Sequence, residues 1–274
     1  MSNELYIAYW SGEEPTGPGQ SPTLDMTPDY VDVVVLFYVL INADGSLNFN
    51  RLVLHNDEAT IKSWMQDIRT RQQYQPKKTK FTLGILGDQF PSQDPTTFAQ
   101  TVKAAFDDWG VDGITVDYEP PDGDAKIVPV VQAIRDAIGS EAIMTAPIYS
   151  AWDGMDDILK NYAAVFNYME TMDYSPYTPG WDVQSTIDAW VGYAKTIGTA
   201  ENPAYDKIAI GVSCMVPSTG YFTPLNDVIS FCKYEPPSGN KLGIMLYTLS
   251  YDVTSHGSGY PDGTFTETIN ENLP

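Results

Sequence analysis

The sequence predicts an α/β protein: a single (β/α)8 barrel spanning the whole chain, residues 1 to 274. Eight apolar segments of strand length alternate with segments of helical spacing, a pattern that requires a parallel sheet and closes naturally into a barrel. No Gly-rich phosphate loop follows an early strand, which disfavours the alternative of a doubly wound sheet. No shift in composition divides the chain, so we expect one domain.

The predicted elements follow from local patterns taken in chain order. The strands are Leu5–Trp10, Val31–Ile41, Lys80–Leu86, Asp112–Glu119, Ala142–Tyr149, Phe166–Tyr174, Lys207–Met215 and Lys241–Tyr251. The helices are Glu58–Tyr74, Pro95–Trp109, Val128–Ile138, Met155–Tyr162, Val183–Ile197, Pro224–Tyr234 and Phe265–Leu273. Asp94 before Pro95 predicts an N-cap. A Gly/Pro-rich loop follows the first strand, so no helix is predicted there.

Composition narrows the classes of ligand. The net charge is −21, from 36 acidic and 15 basic residues, which argues against nucleic acid, anionic membranes and acidic substrates. A neutral ligand such as a sugar fits better, and 18 Tyr and 6 Trp suit sugar stacking. No apolar run reaches transmembrane length. Cys214 is expected to be a buried free thiol, and whether it pairs with Cys232 stays open.

The fourth predicted strand carries the chemistry. Thr115, Asp117 and Glu119 share one face because residues two apart in a strand point the same way. The next loop starts directly after Glu119, which places this acid at the carboxyl end, where sites collect in parallel α/β proteins. The non-functional alternative is a surface strand whose acidic face is exposed to solvent. It is disfavoured because the strand is otherwise apolar and lies between helices.

The octapeptide Asp112–Glu119 (DGITVDYE) resembles the D-G-x-D-x-D-x-E signature of glycoside hydrolase family 18, the chitinases and endo-β-N-acetylglucosaminidases. Four further segments are similar to that family's first, third, sixth and eighth strands, in the same order: Ile7–Trp10, Lys80–Gly87, Met172–Ser175 and Gly243–Asp252. The resemblance therefore covers nearly the whole chain.

The resemblance implies a retaining glycosidase in which the substrate's own 2-acetamido group is the nucleophile and an oxazolinium intermediate forms. Glu119 matches the general acid, and Asp117 matches the carboxylate that orients the acetamide. Tyr174 matches the tyrosine that hydrogen-bonds the acetamide carbonyl, and Tyr9 matches a tyrosine lining the cleft. Two adjacent carboxylates also raise the pKa of one, so that one proton is shared near neutral pH. No cofactor and no metal are implied.

Five positions depart from the family pattern. Thr115 stands in place of the first Asp of D-x-D-x-E, and Gly84 in place of a third-strand Ser, with Leu86 replacing a Gly beside it. In the family that Ser and that Asp support one another, so their absence is interpreted as one linked change. The relay behind Asp117 would then be a hydroxyl. Tyr247 replaces the Trp that floors the −1 subsite, and Ser175 replaces an Asp.

Glu170 is a candidate for the missing carboxylate because its strand parity directs it into the barrel with Met172. The alternative is a slipped register that turns Glu170 outward. Asp173 is one residue from the family's Asp, on the opposite strand face. Tyr149 follows the fifth strand at the predicted rim. These four residues, with Tyr9, Thr115 and Tyr247, are predicted to bind substrate.

The substrate class stays open between chitin oligomers and the chitobiose core of N-glycans, with chitinase favoured. The segment Met215–Asn240 is too short for the extra domain that walls the groove in some chitinases, so a shallow groove is expected. Trp152, Tyr177 and Trp181 are candidate sugar platforms in loops.

A catalytically silent sugar-binding barrel is the rival from another class of function. We expect a monomer whose partner is a saccharide containing N-acetylglucosamine. No signal peptide precedes the first strand, which leaves three alternatives: a cytoplasmic chain, leaderless export or a mature secreted form.

Overall fold

Eight parallel strands close into a barrel in the computed structural model, which describes residues 4–17, 20–119, 123–149, 156–174, 182–215, 221–256 and 259–274. The strands are β1 (Leu5–Ser11), β2 (Val33–Ile41), β3 (Leu47–Asn48), β4 (Lys80–Leu86), β5 (Gly113–Asp117), β6 (Ile143–Ile148), β7 (Tyr168–Thr171), β8 (Ile208–Ser213) and β9 (Gly243–Tyr247). All except β3 form the barrel in the order β1-β2-β4-β5-β6-β7-β8-β9, and β9 pairs with β1 to close it. The predicted TIM-barrel fold is confirmed.

Seven α-helices are described, and they lie between the barrel strands. They are α1 (Glu58–Arg71), α2 (Pro95–Trp109), α3 (Ile127–Ile138), α4 (Asp156–Ala163), α5 (Val183–Ile197), α6 (Leu225–Lys233) and α7 (Thr264–Asn272). The predicted cap at Asp94 is present, since its carboxylate accepts a 2.9 Å hydrogen bond from the backbone NH of Thr97. Such a cap stabilises a helix by about 1 kcal/mol. Between β1 and β2 the described residues form only a short 3₁₀ helix, Leu24–Met26.

The barrel has two separate apolar regions, and they fix which way each strand residue faces. Tyr9, Val35 and Tyr168 belong to a small cluster inside the barrel. Val116 and Tyr118 belong to the large cluster between the sheet and the helices. Because side chains alternate along a strand, Asp117 and Thr115 point into the barrel. Glu170 shares the inward parity of Tyr168, which excludes the slipped register.

Two strands end at least three residues earlier than predicted, at the carboxyl rim. The sixth barrel strand, β7, ends at Thr171, and the eighth, β9, ends at Tyr247. After β9 the Thr248 hydroxyl donates to the carbonyl oxygen of Tyr9 and accepts a 3.3 Å hydrogen bond from Ser250 NH. The second of these hydrogen bonds is local, and the chain continues from it as a 3₁₀ segment instead of extending the ladder. The apolar pattern continued past this point and hid the turn.

Cys214 and Cys232 are both buried free thiols. Helix α6 carries Cys232, and the Lys241 ammonium donates a 2.7 Å hydrogen bond to its carbonyl oxygen. Among the described residues, no helix is both long enough and apolar enough to cross a membrane.

Gly113 begins β5 where two backbones approach closely. A Cβ there would lie 2.2 Å from the carbonyl oxygen of Ile143 on β6. We expect Gly113→Ala to lower the free energy of unfolding by about 3 kcal/mol, because the strands must separate to admit the methyl group. Urea denaturation followed by circular dichroism measures this loss.

Gly192 is the matched control, since it lies within α5 and a Cβ there meets nothing within 4 Å. Gly192→Ala should raise the free energy of unfolding by about 0.5 to 1 kcal/mol, because alanine has the higher helix propensity. Equal effects of the two substitutions would contradict the close-approach account.

Candidate active site

A groove of about 330 Å³ opens at the carboxyl ends of the strands. Seven of the predicted site residues line it, namely Tyr9, Asp117, Glu119, Tyr149, Met172, Tyr174 and Tyr247. A larger groove of about 630 Å³ lies outside the barrel, beside the loop after β1 and the segment before α7. The smaller groove is the better candidate because it holds the paired acids at the end where sites form in this fold.

Asp117 is the last residue of β5 and is only 2% exposed, whereas Glu119 follows the strand and is exposed. Between them Tyr118 faces outward, where its hydroxyl accepts a 3.0 Å hydrogen bond from the backbone NH of Asp124. The alternation fixed by Tyr118 turns both acids to the same side. Their carboxyl groups share a hydrogen bond across the mouth of the groove.

Asp117 is the buried acid of the pair. Burial raises the pKa of Asp117 well above its usual range, and the neighbouring charge and hydrogen bond of Glu119 add to that rise. The charge of Glu170 contributes a further increase. The protonated form of Asp117 is therefore favoured in the unliganded groove.

Four aromatic rings form one wall of the groove, with Tyr247 at the centre. The Tyr174 and Tyr247 rings lie parallel, with centroids 6.1 Å apart and planes 6° apart. The Tyr9 and Phe37 rings meet the Tyr247 ring edge-on at 5.8 Å and 5.9 Å. A wall of this kind offers a sugar ring an apolar face to stack on.

Phe37 was not predicted to belong to the site, and neither were Pro147, Tyr221 and Met245, which also line the groove. Phe37 lies in the run VVVLFYVLI, where residues on both faces are apolar and parity gives no signal. Only its inward parity with Val33 and Val35 near the strand end could have identified it.

The backbone around Glu119 is held by an aromatic residue of the next strand. The hydroxyl of Tyr149 donates a 3.0 Å hydrogen bond to the carbonyl oxygen of Glu119. Met172 is held similarly, because its backbone NH donates a 2.7 Å hydrogen bond to the carbonyl oxygen of Ile148. These contacts attach the loops after β5 and β7 to the rim of β6.

Three predicted substrate contacts, Thr115, Glu170 and Asp173, do not line the groove and need correction. Thr115 and Glu170 are fully buried inside the barrel, below Asp117 and away from solvent. Asp173 is 4% exposed, and its carbonyl oxygen accepts a hydrogen bond from the Thr186 hydroxyl on α5. The first two shared the parity of site residues but not their height along the barrel axis.

A chain of threonine hydroxyls replaces a carboxylate behind Asp117. The Thr115 hydroxyl lies 2.8 Å from that of Thr82 on β4 and 3.2 Å from that of Thr145 on β6. Thr145 in turn neighbours the carboxyl of Glu170. All three hydroxyls are completely buried, so each satisfies the next.

Gly84 is paired directly with Thr115 across β4 and β5. A Cβ at Gly84 would lie 3.0 Å from the side chains of Phe37 and Val35, so a serine there requires repacking. The absence of a side chain at Gly84 makes room for the Phe37 ring at the groove wall. The two departures from the signature are thus spatial neighbours.

Asp112, the first residue of the octapeptide, lies at the opposite end of the strand from the groove. Its carboxylate accepts hydrogen bonds from Arg69, Lys80 and the backbone NH of Phe81, each at 3.0 Å. Its role is to fasten β5 to β4 and α1. Four residues singled out in the sequence, Trp152, Ser175, Tyr177 and Trp181, lie outside the described residues.

Comparison with solved structures gives the fold an identity. The catalytic domain of a family GH18 chitinase from the fern Peteris ryukyuensis matches with a TM-score of 0.71 at 14% sequence identity, covering 98% of this chain and 99% of that one. This chain has the barrel fold of the GH18 chitinases. Ostrinia furnacalis Group IV chitinase in complex with allosamidin matches with a TM-score of 0.72 at 15% identity, covering 98% of each chain.

The protein YKL-39, crystallised in the presence of chitooligosaccharides, matches with a TM-score of 0.66 at 12% identity, covering 98% of this chain and 99% of that one. No protein-family model matches the sequence, and comparison with curated proteins gives no match. Because these alignments cover 98% of this chain and 98% or more of each matched chain, this chain carries no domain that the matched structures lack.

Proposed function

We propose that this chain is a retaining glycoside hydrolase of family 18 that cleaves β-1,4-linked N-acetylglucosamine, with chitin oligomers as substrates. The observation that carries the proposal is the buried Asp117 hydrogen-bonded to the exposed Glu119 beneath an aromatic wall at the carboxyl rim. A neutral sugar suits this groove, and the chain's net charge of −21 disfavours anionic ligands.

The reaction begins with a proton on the Asp117–Glu119 pair. As the glycosidic C1–O bond breaks, Glu119 donates that proton to the leaving oxygen, and the substrate's acetamide oxygen bonds to C1. Asp117 becomes the anion that accepts a hydrogen bond from the acetamide NH and stabilises the positive oxazolinium. Glu119 then deprotonates a water molecule, which attacks C1 and opens the oxazolinium ring, so the anomeric configuration is retained.

The aromatic wall supports the placement of the reacting sugar. Tyr247 offers a flat face to the sugar ring. The Tyr9 and Phe37 rings contact the Tyr247 ring edge-on and hold that ring in place. Tyr174, whose ring lies parallel to that of Tyr247, is the residue assigned to hydrogen-bond the acetamide carbonyl.

Hydrolysis of a fluorogenic chitotrioside tests the proposal directly, and release of a glycan from a high-mannose glycoprotein separates the two enzyme classes. Turnover of the first substrate alone supports a chitinase. Turnover of the second alone supports an endo-β-N-acetylglucosaminidase. Binding of chitooligosaccharide without turnover of either would overturn the enzymatic proposal and favour a sugar-binding barrel.

A further inference from the structure

A buried acid that the reaction above does not use lies inside the barrel. Glu170 on β7 is 0% exposed, and neither carboxyl oxygen makes a hydrogen bond of good geometry with the described residues. Burying a carboxyl group without full hydrogen bonding is costly, so its position calls for a physical reason.

Glu170 lies below the groove floor, on the second strand from Asp117. Thr115 on β5 pairs with Thr145 on β6, so Asp117 is level with Pro147, two residues further along. Pro147 pairs with Glu170 on β7. The strand register therefore makes Glu170 the inward-facing residue of β7 that corresponds to Asp117 on β5, and its complete burial places it deeper in the barrel.

Two further polar atoms inside the barrel have no hydrogen-bond partner among the described residues: the Oδ1 atom of Asp117 and the hydroxyl of Tyr9, both on side chains about 2% exposed. A negative charge on Glu170 raises the pKa of both groups, so both lie within its electrostatic reach. Glu170, Asp117 and Tyr9 together match the number of polar groups, about three, that one buried water molecule typically bonds.

The protonation state of Glu170 suits it to donate. Burial raises its pKa to about 8, against a partial lowering by the Thr145 hydroxyl, so it is a neutral acid at pH 7. A neutral carboxyl donates one hydrogen bond, whereas an anion in this position repels Asp117. Thr115 cannot donate there as well, because its hydroxyl is engaged with those of Thr82 and Thr145.

We propose that Glu170 is a positioning residue for the reaction: through a buried water shared with Tyr9, it donates to the inner oxygen of Asp117. Asp117 is thereby held with its outer oxygen toward Glu119 and the acetamide of the substrate. This inference rests on the proposed function and identifies the group that supports Asp117 where Thr115 has no carboxyl.

The test compares Glu170→Leu, Glu170→Gln and the control Tyr168→Phe on a fluorogenic chitotrioside at pH 6. Glu170→Leu should lower kcat about 30-fold with KM within about 3-fold, since misorienting a reacting group costs up to 10²-fold. Glu170→Gln keeps a neutral donor and should stay within about 3-fold of the wild type. Tyr168→Phe removes an unpartnered hydroxyl beside Glu170 and should change neither constant.

Folding does not confound this test. Leucine replaces an incompletely bonded buried carboxyl by an apolar side chain, so the melting temperature of Glu170→Leu should equal or exceed that of the wild type. A lower activity in that variant then reports on Asp117 and not on unfolding.

A pH profile supplies a readout that a purely structural role would not move. The titratable groups affected by the charge of Glu170 are Asp117 on β5, Tyr9 on β1, Tyr162 on α4 and Tyr168 beside it on β7. As the pH rises through about 8, Glu170 ionises, stops donating and opposes the anion of Asp117. In a plot of log kcat against pH, the slope for the wild type should therefore become more negative by one unit above pH 8. The slope for Glu170→Gln should not change in this way.

The outcomes separate the two proposals. Wild-type hydrolysis that is unchanged in Glu170→Leu, or profiles of wild type and Glu170→Gln that coincide above pH 8, would overturn the role of Glu170 and leave the proposed function intact. If the wild type neither hydrolyses the chitotrioside nor binds allosamidin in calorimetry, the proposed function is wrong and this inference falls with it.

Discussion

Glu119→Gln is expected to lower kcat on a chitotrioside about 10³-fold, the range over which a general acid contributes. The amide cannot supply the proton that the leaving oxygen requires. It keeps the size and the hydrogen bonding of the carboxyl, so the dissociation constant for chitooligosaccharide should stay within about 3-fold. Steady-state kinetics and calorimetry measure the two quantities separately.

Glu141→Gln is the matched control, because Glu141 is an exposed glutamate before β6, at the end of the barrel away from the groove. It should leave kcat unchanged. Full activity in Glu119→Gln would show that the general acid lies elsewhere.

Asp117→Asn should have opposite effects on activity and stability. Loss of the anion that pairs with the oxazolinium should lower kcat about 10²-fold or more. The raised pKa of Asp117 means that its contribution to stability is complete below the unfolded value, 3.8, and is lost as the pH rises through the folded value. Asparagine lacks this loss, so the melting temperature at pH 8 should rise by about 3 °C, roughly 1 kcal/mol.

Asp112→Asn serves as the contrasting variant on the same strand. It weakens the ion pairs with Arg69 and Lys80, which are part-exposed, so a decrease of about 1 kcal/mol in the free energy of unfolding is expected with kcat retained. Thermal melts across pH 5 to 9 compare the two variants. A melting temperature of Asp117→Asn that falls below the wild-type value at pH 8 would contradict the raised pKa.

The order of elements could be predicted because it depends on local patterns. Runs such as KFTLGIL and the Asp94-Pro95 cap act over a few residues, and both occur where the sequence predicts them. The strand ends at the carboxyl rim were predicted less accurately. The apolar pattern continues beyond Thr171 and Tyr247, but hydrogen bonds such as that of the Thr248 hydroxyl end the ladder first.

The site divides in the same way. Seven predicted residues line the groove because parity and the carboxyl end of a strand are both readable from sequence. Thr115 and Glu170 satisfied parity but lie deeper, and depth depends on the stagger between neighbouring strands. Phe37 was missed because an all-apolar strand gives no contrast between its faces.

The sequence by itself determined the barrel, the paired acids and their break from the family signature at Thr115, since all three follow from spacing along one chain. Only the tertiary structure decided how the pKa of Asp117 is shifted and what lies behind Asp117. Burial controls the first, because desolvation outweighs the charges in raising the pKa of Asp117. Strand register controls the second, because it brings three threonine hydroxyls from three strands together and directs Glu170 of a fourth strand into the same buried interior.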